Sequence, residues 1–126
     1  KNTPEYDQYL YTREELESQI MVALGGAVAE EIVLGARSTG ARNDFEQAWK
    51  LAHEIVRCGM SGLGVVNADD MPKDATSKEC SQILQEVEAE VLQLLLQNRT
   101  LLEMVASKLM EEETLDRELF VATLSA

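Results

Sequence analysis

The chain is short of the residues that build stapled, basic or membrane-spanning proteins. Of 126 residues only two are cysteine. Cys58 and Cys80 lie far apart and form no Cys-x-x-Cys, so they read as small apolar fillers in a reducing compartment. With only two prolines and 5% aromatics, against abundant Leu, Glu, Ala and Gln, the composition favours helix over sheet. There is no basic stripe. The net charge of −12 repels phosphate backbones, which argues against nucleic-acid binding. No apolar run approaches the roughly 18 residues of a transmembrane helix, and no signal peptide is visible. The chain begins with Lys1 and not Met, which we read as a segment of something longer. The lack of a span therefore says nothing about a parent protein.

What is present is helical periodicity. The length is that of one domain, enough to bury a core. Lys1 to Tyr11 reads as an irregular lead-in. Thr12-Arg-Glu-Glu15 forms a capping box. The helix after it carries Leu16, Ile20, Ala23, Leu24, Ala27 and Val28 on one face. Met21, Val22, Ala29, Ile32 and Val33 widen the stripe, which predicts a central buried helix. Gly25-Gly26 inside it costs about 1 kcal/mol per glycine, so close approach of another backbone is expected there. Gly35 ends the helix. Ser38 or Thr39 caps a second helix to about Cys58, with Phe45, Ala48, Leu51, Ala52, Ile55 and Val56 facing inward. Gly59 to Gly64 breaks it, and a polar loop with Pro72 follows. Thr76-x-x-Glu79 predicts a second capping box and a long helix from Cys80 to about Gln97. Asn98 caps a fourth helix with Leu101, Leu102, Val105 and Leu109 in a helical hairpin. Asp116 caps a short fifth, with Leu115 stapled on Phe120. The expectation is a single all-α domain of about five helices.

Chemistry is sparse. Asp44 stands in the first turn of the second helix. A carboxylate there favours the helix dipole by roughly 0.3–1 kcal/mol and needs no other purpose. The functional reading is a metal ligand, since a helix N-terminus favours the ionised form that a metal requires. His53, the only histidine, lies about two and a half turns away and cannot share one metal with Asp44 on a straight helix. It reads as a core-edge residue. One histidine and one aspartate fall short of the three or four protein ligands of a zinc site. Glu30 and Glu31, about 100° apart on their helix, do not converge on one substrate atom. There is no His-Glu-x-x-His, no phosphate-cradling loop and no nucleophile elbow.

Several runs nevertheless resemble one family in order. They are Leu24-Gly25-Gly26, Ala29-Glu30-Glu31, Ser38-Thr39-Gly40-Ala41, Asn43-Asp44, Gly59-Met60-Ser61 and Leu63-Gly64. Asn98-Arg99 and Glu113-Thr114-Leu115-Asp116 follow. The likeness, from about Tyr9 to Phe120, is to the peptidase domain of the FtsH family of membrane-anchored, ATP-dependent zinc metalloproteases. Ala27 stands where that family usually has arginine, and Trp49 where a small polar residue is common. The resemblance implies that residues 1–126 are the C-terminal part of a zinc metallopeptidase domain, with Asp44 as the third zinc ligand. Two histidines and the catalytic glutamate would come from an upstream His-Glu-x-x-His. ATP would bind only in a separate ATPase module of the parent. It further implies protein substrates, a hexameric parent, and an intracellular location with membrane anchoring through parts outside this chain, in a bacterial inner or an organelle membrane. The alternative, from a different class, is a non-catalytic scaffold or interaction subunit that keeps the fold.

Overall fold

The computed structural model describes residues 10–67 and 69–125, the side chains of Leu109, residues 112–120 and Ser125 excepted. Four α-helices follow one another: α1 (Arg13–Leu34), α2 (Arg42–Arg57), α3 (Lys73–Gln97) and α4 (Arg99–Ser125). A 3-10 turn, Thr39–Ala41, precedes α2 and makes five helical elements among the described residues. No strand occurs among the described residues. The chain is all-α, as its composition predicts. The lead-in from Lys1 lies outside the described residues as far as Tyr9.

The N-terminal capping box forms as read. The Glu15 amide donates to Thr12 Oγ1 at 3.1 Å, and the Thr12 amide donates to Glu15 Oε1 at 2.9 Å. Two orphan amides of the first turn are thus satisfied reciprocally. At the other end Gly35 takes φ 81°, a left-handed conformation, and its amide closes on the Glu31 carbonyl at 2.9 Å. Here the missing Cβ matters.

The core is one cluster. Leu16, Ile20, Leu24 and Val28 of α1 meet Ala48, Ala52, Ile55 and Val56 of α2 and Cys80, Ile83, Val87, Val91 and Leu95 of α3. Leu101, Leu102 and Val105 of α4 close it from one side. Small buried residues include Ala27, Ala29, Ala41, Ala48 and Ala52.

Four expectations are corrected. Gly25 and Gly26 are not sites of close backbone approach, because a Cβ built on either meets no atom within 4 Å. Nor is α1 buried all round: Val22 is 82% and Val33 41% exposed. The box at Thr76-x-x-Glu79 does not form. Pro72 stands at the N-cap of α3, four residues before the expected cap at Thr76, and Thr76 is buried with no hydrogen-bond partner for its hydroxyl among the described residues. Glu79 instead accepts from the Gly62 amide at 2.9 Å. Finally, α4 runs unbroken past residue 115. Residues 111–120 hold no glycine or proline to stop it, so Asp116 lies inside the helix. The proposed staple of Leu115 on Phe120 lies outside the described side chains. Asn98 does cap α4, its Oδ1 accepting from the Leu101 amide at 3.0 Å.

Candidate metal centre

The connection from α1 to α2 is nearly all exposed, so apolar burial does little to hold it. Polar contacts do. The Ser38 amide and hydroxyl donate to the two carboxylate oxygens of Glu30, at 2.8 and 3.1 Å. Ser38 Oγ in turn accepts from the Gly40 amide at 3.2 Å and caps the 3-10 turn. Arg37 reaches three helices. It pairs with Glu31 of α1 at 3.4 Å and with Glu88 of α3, and its guanidinium lies 5.4 Å from the centroid of the Phe45 ring of α2. Ala41, buried, then leads directly into α2.

Asp44 stands in the first turn of α2. Ala41, the N-cap, makes no side-chain cap bond. Asp44 is exposed, and its carboxylate makes no hydrogen bond or ion pair among the described residues, so it is not folded back onto local amides. The helical row 44, 48, 51, 55 puts it at the head of the face that carries Ala48, Leu51 and Ile55 into the core. A carboxylate in this position is free to take a ligand from above the helix end.

Nothing else in the described chain converges on it. His53 is half-buried and sits nine residues further along the same helix, about 13 Å up the axis. It lines a small cleft with Trp49, Asp69, Met71 and Thr76. Glu30 and Glu31 diverge, one to Ser38 and one to Arg37. Cys58 is exposed and Cys80 buried. Among the described residues no three His, Cys, Asp or Glu side chains group to hold a metal. A groove of about 660 Å³ runs along α2 past Ser38, Arg42, Phe45, Trp49 and Lys50. Its axis is set by Arg42, Phe45 and Trp49, and Asp44 points about 200° round the helix from Arg42, so the groove is not the ligand's side. Neither Arg37 nor the Glu30–Ser38 contact has a characteristic spacing, so residue patterning alone does not reveal them.

The model of peptidase family M41 matches residues 1–122. The chain is 39% identical to ATP-dependent zinc metalloprotease FtsH 2 of Symbiobacterium thermophilum, over 98% of this chain and 23% of that protein. It is 36% identical to ATP-dependent zinc metalloprotease FtsH 3 of Synechocystis, over 92% of this chain and 23% of the relative. Against ATP-dependent zinc metalloprotease FtsH of Bacillus subtilis the identity is 35%, over 91% and 22%. The chain thus spans less than a quarter of the length of these relatives. Among the described residues no helix is long and apolar enough to cross a membrane.

Proposed function

The chain belongs to peptidase family M41, and from that premise we propose that it forms the C-terminal part of a zinc-dependent, protein-degrading peptidase in which Asp44 is a metal ligand. The observation that carries this reading is the exposed, unpartnered Asp44 carboxylate at the head of a core-facing row. An acidic oxygen at a helix N-terminus suits Zn²⁺, and the positive end of the helix favours its ionised form.

The described residues supply one ligand and no cluster of three. The remaining ligands, two histidines, and the glutamate base belong to a His-Glu-x-x-His elsewhere in the protein, as the family resemblance implies. An open stretch of α1 supports the same arrangement. By helical spacing Val22, Gly25 and Gly26 lie together; Val22 is exposed and a Cβ at either glycine meets nothing within 4 Å, whereas Ala29, one turn on, is fully buried. A helix bearing the histidines packs there, and the glycines let its backbone come close.

Bound zinc lowers the pKa of its water and polarises the peptide carbonyl. The part of this chain is to hold one anionic oxygen in place. Asp44 does so from a helix end fixed by the Glu30–Ser38 and Arg37 contacts. ATP-driven delivery of the substrate, a hexameric ring and a membrane anchor belong, in this proposal, to the whole protein.

The test is a pair of assays on the full-length protein. Asp44→Ala is expected to abolish casein hydrolysis and leave ATP hydrolysis running. Normal casein hydrolysis by that variant would remove Asp44 from the site. A wild-type protein that hydrolyses no casein would favour a scaffold subunit. The 126-residue chain by itself is expected to hydrolyse none.

A further inference from the structure

We propose that Arg37 is a positioning residue for the metal centre, setting where Asp44 stands without touching the metal. The inference rests on the reading of Asp44 as a ligand. Its basis is the three-way contact of one side chain. The Arg37 guanidinium pairs with Glu31 on α1 and Glu88 on α3, and stacks over Phe45 on α2. Phe45 is the residue after Asp44 and packs against the core cluster. Arg37 therefore joins three helices at the point where α2 begins.

Each contact alone is weak. The Arg37, Glu31 and Glu88 side chains are 31%, 50% and 34% exposed, and solvent screens such pairs strongly. Their joint effect is geometric. Residues 35–40 are all exposed, so no apolar packing fixes the loop. Backbone bonds turn the loop at Gly35 and at Ala41, and the Ser38 contacts to Glu30 and the Arg37 contacts are the side-chain bonds that tie it to the helices. Both carboxylates meet the same guanidinium nitrogen, Nη2, while the flat face of the group lies over the Phe45 ring; that planar stacking face is what an ammonium lacks. Removing it leaves the core intact and the first turn of α2 free to shift. A ligand that shifts by even a fraction of an ångström loses affinity for its metal.

The experiment measures zinc affinity by chelator competition in the full-length protein for the wild type, Arg37→Ala, Arg37→Lys and Asp44→Ala. Arg37→Ala is expected to weaken zinc about tenfold, the low end for groups that orient a ligand. Arg37→Lys, which keeps the charge and loses the planar face over Phe45, should recover part of that loss. In the 126-residue chain, hydrogen exchange at the amides of residues 40–45 should quicken in Arg37→Ala, while amides of Ile20 and Ile55 stay protected. Unchanged zinc affinity in Arg37→Ala, with Asp44→Ala clearly weakened, overturns the positioning role and leaves Asp44 as a ligand. Unchanged affinity in Asp44→Ala overturns both. If Arg37→Ala does not fold, Arg37→Lys decides: affinity equal to wild type, with wild-type exchange at residues 40–45, refutes the role.

Discussion

The two sides of α1 have the same apolar chemistry and opposite surroundings. Leu16, Ile20, Leu24 and Val28 are buried against α2 and α3. Across the helix, Val22 is exposed and Gly25 and Gly26 border open space, over about one turn before the fully buried Ala29. The first side does the work of folding this chain. On our reading the second is shaped for a partner helix of the same peptidase. The contrast separates residues that stabilise the 126-residue chain from residues that matter only in the whole protein.

Truncating the packed side should have the largest effect. Ile20 and Ile55 are both fully buried. Ile20→Ala or Ile55→Ala is expected to cost about 2–5 kcal/mol through lost burial and a cavity, read as a fall in the urea midpoint. A change below 1 kcal/mol at both would mean that the cluster is not the core. Removing the cap at the head of the same helix should cost less: Thr12→Ala by about 0.5–2 kcal/mol, typically near 1.

The open side should respond with the opposite sign. Gly25→Ala and Gly26→Ala are each expected to raise the stability of the 126-residue chain by about 0.5–1 kcal/mol, because helix propensity improves and no atom is in the way. In the full-length protein Gly26→Leu should instead impair proteolysis by holding the partner helix off. Destabilisation of the short chain by both alanines would show that this side is already packed.

The smallest effect concerns a group outside both faces. Cys58 donates to Glu54 at 3.4 Å. Partial desolvation first, and then the Glu54 carboxylate, push its thiol above the ordinary value. At a given pH less thiolate is therefore present, and alkylation is slowed. Glu54→Gln should speed alkylation of Cys58 about two- to threefold near pH 8. Cys80, raised by burial, should stay unreactive until the chain unfolds.

Where a pattern is purely local, the sequence was enough. Thr12 and Glu15 stand at an exposed helix start with no competitor, and their box forms. The same spacing at Thr76 and Glu79 fails because tertiary contacts outbid it: Thr76 is drawn into the core and Glu79 to the Gly62 amide. Gly25-Gly26 misled for a related reason. A glycine pair implies room for a backbone, but not that the chain in hand fills it. Asp44 could be picked out by its place in a motif and by helix-end electrostatics. Arg37 could not, since a loop arginine has no periodicity and its partners lie 6, 8 and 51 positions away in sequence, at Glu31, Phe45 and Glu88.

The most direct test of Asp44 as a ligand is the zinc content of the full-length protein after dialysis against a weak chelator, wild type beside Asp44→Ala. Near one zinc per wild-type chain and little or none in the variant is the expected result, with the helical circular dichroism of the two unchanged. Equal zinc in both would contradict it: Asp44 would then be an exposed helix-end carboxylate, and the metal would be held by other residues.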